Sequence, residues 1–190
     1  MKLLFTKALY TVVLCAMPHL AMAECPAFVA QTEPRQSLLE NLARSTNQAQ
    51  GRDAANALWQ YWHKAPDETA QELLNAGVTA IRYGDYLRAE DVLSRLVTYC
   101  PTYSEGYNQL AFAYFLQRRD APSLDLLEKT LALEPAHFGA LSGIGLIHIR
   151  AGKPALGQIF LRRAVAINPW LNERSLLEQS VEGGMNNNEL

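Results

Sequence analysis

Apolar residues return every three or four positions through most of the chain, the spacing of one helix face. They do so at Leu73, Ala76 and Ala80, then at Leu93 and Leu96, and again at Tyr107, Leu110 and Tyr114, then Leu127. The pattern predicts helices and no strands. Pro101, Pro135 and Pro169 stand 34 residues apart. Each ends a helix, because proline lacks an N–H and its ring clashes with the turn before it. Three blocks follow: Ala70–Tyr103, Ser104–His137 and Phe138–Leu171. In each, a small residue on the first helix (Gly77, Ala111, Gly145) is followed by a turn and a small residue on the second (Ala89, Ser123, Gly157). Small residues in that rhythm mark places where two antiparallel helices cross closely. The turns are Gly84-Asp85-Tyr86, Arg118-Arg119-Asp120 and Gly152-Lys153-Pro154, and Pro122 suits the first turn of a helix. A period of this length predicts a stack of supersecondary units.

The phrase Tyr83-Gly84-Asp85-Tyr86-Leu87-Arg88-Ala89 resembles the inter-helix turn of the tetratricopeptide repeat family. Leu131-Ala132-Leu133-Glu134-Pro135 and Val165-Ala166-Ile167-Asn168-Pro169 resemble that family's repeat endings. The second block lacks the turn glycine, and the third has Leu141 where the family often has Trp or Tyr. The resemblance implies an all-α, right-handed solenoid of stacked antiparallel helix pairs. Trp59 through Pro169 is also similar to a group of small exported bacterial tetratricopeptide proteins whose biochemical roles are undefined.

Helical signals at Gln36–Thr46 and Asp53–Lys64, separated by Gly51, predict a degenerate repeat over residues 35–69. There Ala54, Leu58 and Tyr61 take the places of Ala89, Leu93 and Leu96. After the third repeat, Asn172–Val181 reads as a polar-faced capping helix, which a solenoid end requires. Gly183-Gly184 ends it, and Met185–Leu190 reads as a disordered tail, so residues 172–190 form one terminal unit. At the other end, Met1–Ala23 has the form of a cleavable secretory signal. Lys2 and Lys7 precede the short apolar run Ala8–Met17, and Ala21-Met22-Ala23 gives a small-x-small cleavage pattern. Cleavage there leaves a tail over residues 24–34 and places the protein in the periplasm, or outside the cell, with no membrane span.

The chain has 190 residues, 49% hydrophobic, and a formal net charge of -2 that the loss of two signal lysines would take to -4. No basic excess exists to neutralise phosphates, which argues against a nucleic-acid binder. Cys15 leaves with the signal, so Cys25 and Cys100 remain, either bridged or as two free thiols. A bridge would contribute about 4 kcal/mol in the chain-entropy picture.

Side chains suited to catalysis are scattered. His63 and His137 lie near helix ends, and His148 takes the register position of Ala80 and Tyr114, a packing position. Ser142-Gly143-Ile144-Gly145 matches neither a phosphate loop nor a nucleophile elbow. Asp85, Asp91, Asp120 and Asp125 lack calcium-loop spacing. Arg118-Arg119 and Arg162-Arg163 read as solvated helix ends. The expectation is a protein that is not an enzyme and needs neither cofactor nor metal.

What remains is surface. By the resemblance, the first helices line a concave face with Gln71, Leu74, Val78, Ile81 and Arg82; Glu105, Asn108, Phe112, Phe115 and Leu116; and Gly139, Ser142, Leu146, Ile149 and Arg150. This implies an apolar groove with Arg82, Asn108 and Arg150 as polar anchors. Relatives that clamp a C-terminal carboxylate use a Lys/Asn-rich set, from which Phe112 and Leu146 depart. The expected function is an exported adaptor or scaffold that holds a peptide or protein segment on Arg82, Asn108, Phe112, Phe115, Ser142, Leu146 and Arg150. The alternative is a structural module whose groove is filled by Ala27–Pro34, by its C-terminal tail, or by a second copy in a homodimer.

Overall fold

The 34-residue register becomes three antiparallel helix pairs. The computed structural model describes Cys25, Pro26 and residues 32–177. In it α3 (Glu68–Arg82) pairs with α4 (Tyr86–Tyr99), α5 (Ser104–Leu116) with α6 (Asp120–Leu133), and α7 (Phe138–Arg150) with α8 (Pro154–Ile167). Successive pairs stack through α4 on α5 and α6 on α7, while α3 meets α5 and α5 meets α7. The first helices thereby form one continuous layer. Among the described residues there is no strand.

The small residues sit where the crossings need them. A Cβ on Gly77 would stand 2.5 Å from the buried Leu93 side chain, and one on Gly157 would stand 2.7 Å from the carbonyl oxygen of Gly145. Two backbones touch at that last crossing, so only glycine fits. The middle repeat uses Ala111 and Ser123 instead, and the Ser123 hydroxyl donates to the Ala111 carbonyl at 2.8 Å. A buried serine is thus satisfied inside a helix–helix contact.

The turns also repeat. Gly84 (φ 74°), Arg118 (φ 60°) and Gly152 (φ 72°) hold the same left-handed position. After each first helix, the N–H of Asp85, Arg119 or Lys153 reaches back to the carbonyl of Ala80, Tyr114 or His148 at 2.9–3.0 Å. That bond, with the left-handed residue before it, is the Schellman ending of a helix. Arg118 forms it without being glycine.

The expected degenerate repeat over residues 35–69 is corrected by the packing. α1 (Thr32–Ala43) and α2 (Gln48–Trp62) form a hairpin, but it does not stack ahead of α3. α1 reaches α8, and Leu42, Ala55, Leu58 and Trp62 are buried with Phe138, against Ile167, Trp170 and Leu171. The reason is side-chain size. Ala55, Leu58, Trp59 and Trp62 make one apolar stripe on α2, and two indoles do not suit the close spacing set by Gly and Ala crossings. They find room where repeats join. α2 starts cleanly because the Asn47 side chain accepts from the Gln50 N–H at 3.1 Å. The chain then passes Pro66 into α3, capped by Asp67, which also accepts from the Tyr99 hydroxyl at 2.8 Å.

Cys25 and Cys100 are joined in a disulfide with Cα atoms 5.1 Å apart. Past α8, residues 174–177 are helical, and the Gln158 side-chain amide donates to the Leu176 carbonyl at 3.4 Å. The rest of the expected cap, the tail after it, the signal at 1–23 and most of Ala27–Pro34 lie outside the described residues. No helix among the described residues is long and apolar enough to cross a membrane.

A left-handed non-glycine residue costs roughly 1–2 kcal/mol, part of which glycine returns through its freer unfolded chain. Arg118→Gly should therefore stabilise the protein by about 0.5–1 kcal/mol, measured by chemical denaturation. A loss of stability would mean that Arg118 holds the turn by contacts that outweigh its strain.

Candidate functional site

The site begins at the joints between repeats. Cys100, Glu134 and Asn168 end the second helices, each just before a register proline, and Tyr103, His137 and Leu171 follow three residues later. The N-terminal segment is tied to these joints in order. Cys25 is bonded to Cys100, and Arg35 pairs with buried Glu134 at 2.8 Å. α2 then returns along the same line. Gly51 lies against the indole of Trp170, the Trp62 ring stacks on His137 at 4.1 Å, and the Tyr103 hydroxyl donates to the Trp62 carbonyl at 2.7 Å. A 15-residue helix is about 22 Å long, enough to strap three joints.

Glu105, in the first turn of α5, is fully buried. Its carboxylate meets His63, the C-cap of α2, at 2.9 Å and His137 at 2.9 Å, and accepts from Asn108 at 3.2 Å and Gln109 at 2.6 Å. His137 Nδ1 accepts from the Ala140 N–H at 3.1 Å and so caps α7. Its hydrogen is therefore on Nε2, aimed at Glu105. Burial would raise the Glu105 pKa, but the hydrogen bonds from His137 and His63 outweigh it, and their charges act the same way, holding it down to about 2. The hydrogen bond to Glu105 raises the His63 pKa above 6.5; burial pulls against it and the carboxylate's charge adds to it. Burial, and then the charge of Glu105, push the Tyr103 phenol far up.

Between this strap and the concave face lies a cavity of about 620 Å³. Of the residues expected to bind, Asn108, Phe112, Phe115, Ser142 and Leu146 line it, beside Trp59 and Phe138. The Phe112 and Phe115 rings stack with centroids 6.4 Å apart. Asn108 is spent on Glu105. Arg82 is exposed and is not among the lining residues. Arg150 also stays outside it: its guanidinium lies 4.2 Å over the Phe115 ring and is paired with Asp120. Leu74, expected on the groove, is instead core. His148 lies beside Phe160, ring centroids 5.7 Å apart. Among the described residues no group of His, Cys, Asp and Glu is placed to hold a metal ion.

No protein-family model matches the chain. It is 28% identical over 130 residues to a TPR repeat-containing protein of Rhizobium etli, a stretch covering 67% of this chain and 64% of that one. In structure it is similar to the first TPR of Spaghetti (RPAP3), solved with the HSP90 peptide SRMEEVD, at a TM-score of 0.57 and 20% identity, covering 60% of this chain and 92% of that one. It is also similar to YrrB, described as a TPR protein with an unusual peptide-binding site, at 0.52 and 12%, covering 80% and 75%. The three repeats have the tetratricopeptide fold. In this tetratricopeptide solenoid the N-terminal helices form a strap along the joints between repeats.

Sequence reasoning missed Glu105, His63 and His137 as a unit. An acid in a first helical turn ordinarily faces solvent and complements the helix dipole, so nothing marked Glu105 as buried. The available signal was register. Tyr103, His137 and Leu171 share one position, and Gly139, one repeat after Glu105, leaves the room that Trp59 fills.

The pair gives stability a two-sided pH dependence. Glu105, depressed in the fold, contributes stability that is present above its unfolded value of 4.5 and lost as pH falls toward 2. His63, raised in the fold, contributes stability that is complete below 6.5 and lost as pH rises through its folded value. The pair's contribution should be greatest between 4.5 and 6.5. Thermal melts of wild type should drop on both sides of that window, and Glu105→Gln should flatten the alkaline side. A wild-type melting temperature that climbs from pH 6 to 8 would contradict the assignment.

Proposed function

We propose that this protein is an exported, non-enzymatic scaffold that holds a peptide or protein segment on its concave face, in the cleft beneath α2. The observation that carries the reading is the apolar cleft itself. Five side chains that the repeat register assigns to ligand contact converge there, and two of them are stacked phenylalanines. Phe112 is 44% exposed, although a large aromatic ring favours burial. The peptide-bound repeats of RPAP3 and the peptide-binding site of YrrB support the use of such a face for peptide capture. Export is supported by the signal-like Met1–Ala23 and by the Cys25–Cys100 bridge, which suits an oxidising compartment.

The reading is tested by cross-linking wild type in the exported fraction, identifying the attached segment, and titrating it as a synthetic peptide. Phe112→Ala should weaken that binding by about 1–3 kcal/mol and cost less stability than Leu110→Ala, since Leu110 is buried. Finding only a second copy of the chain in the cross-link, or unchanged peptide affinity in Phe112→Ala, would overturn it.

A further inference from the structure

The cavity beneath α2 has an interior chemistry that narrows what it can take. Trp59, Phe115, Phe138 and Leu146 supply apolar wall. Of the charged side chains that line it, Arg52 is 70% exposed, Glu173 comes from the loop past α8, and His63 is engaged by Glu105. An anionic ligand group taken inside would therefore meet no buried countercharge, and burying an unpaired charge is strongly unfavourable. Among the described residues, two polar atoms of the wall have no hydrogen-bond partner, the Trp170 indole N–H and the Ser142 hydroxyl. Ser142 is 4% exposed, lines the cavity, and its hydroxyl has no hydrogen-bond partner. A serine within a helix ordinarily bonds the carbonyl four residues back or reaches solvent; this one does neither. At the mouth of the cavity exposed Phe112, and beyond it exposed Leu116, continue the apolar surface along α5, so the occupant extends past the cavity.

Resting on the peptide-binding reading above, we propose that the cavity seats one uncharged apolar side chain, aromatic or branched aliphatic, from an internal position of the bound segment, and that the Ser142 hydroxyl bonds the amide group beside it. The volume of about 620 Å³ is within the range of sites that enclose whole small ligands, so the side chain enters together with the backbone that carries it. The flanking residues of the segment run out over Phe112 and Leu116. A C-terminal carboxylate does not enter, because it would be buried without a partner.

The test uses the full disulfide-bonded chain and two small probes that differ by one charge, N-acetyl-phenylalaninamide and N-acetyl-phenylalanine. Binding is followed by NMR through the indole N–H signals of Trp59 and Trp170. The amide should bind roughly tenfold or more tightly than the carboxylate. Ser142→Ala should weaken the amide by about three- to tenfold with an unchanged melt, and Leu146→Trp should abolish binding by filling the cavity. Should Leu146→Trp fail to fold, Leu146→Phe takes its place. Equal binding of the two probes, full amide affinity in Ser142→Ala, or binding that survives the filled cavity would each overturn the proposal. Two failures are separable. If neither probe binds while the cross-linked segment still binds in a Phe112-dependent manner, the cavity assignment falls and the groove reading stands. If the amide behaves as expected while that segment ignores Phe112→Ala, the groove reading falls and the cavity chemistry stands.

Discussion

A carboxylate with no access to solvent holds the N-terminal hairpin on the solenoid. Glu105 belongs to the first helix of the middle repeat, His137 to the joint that follows, and His63 to the C-cap of α2, and the three meet within hydrogen-bond distance. A buried ion is tolerable only when its lone pairs are satisfied, and here Asn108 and Gln109 complete the set. Removing a partner leaves part of the carboxylate's burial cost uncompensated. The same contacts decide where α2 lies, and α2 in turn makes the roof of the cleft. Fold and candidate site therefore share one electrostatic knot, with the Cys25–Cys100 bridge and the Arg35–Glu134 pair fastening the same segment at neighbouring joints.

Repetition explains why a strap can exist at all. A solenoid offers the same joint once per repeat, so a helix laid along its edge meets equivalent positions at regular intervals. The three equivalents have been specialised differently. Tyr103 gives a hydroxyl to a backbone carbonyl, His137 a flat ring for Trp62 and a proton for Glu105, and Leu171 an apolar contact. Position 105 and its equivalent Gly139 diverge in the same way, one binding His63 and the other leaving space for Trp59. The cleft is a product of that divergence within a regular frame.

The regular frame was legible in the residues. Prolines 34 apart located the joints, and the paired small residues located the crossings, down to the Gly145–Gly157 backbone contact. Glycine at 84 and 152 announced the left-handed turn, though Arg118 showed that the frame can impose it on another residue. The hairpin was legible as helices and misread as a repeat, because amphipathic spacing says which face is apolar and not what covers it. The bulk of Trp59 and Trp62 was the physical hint that a close crossing was excluded. Of the expected contact residues, the phenylalanines, Ser142 and Leu146 face the cleft. Arg82 and Arg150 do not, because register alone cannot tell that Arg150 has Asp120 within reach.

The central claim is that α2 is a stable roof held by Glu105 and not a loosely attached N-terminal arm. Native-state hydrogen exchange at pH 6, compared between wild type and Glu105→Gln, tests it most directly. The account predicts that amides of α2 are protected in wild type to a degree comparable with α5. In the variant, protection should fall selectively in α1 and α2 while α3, α4 and α6–α8 keep theirs. Free exchange of α2 in wild type, or α2 protection unchanged in Glu105→Gln, would contradict it.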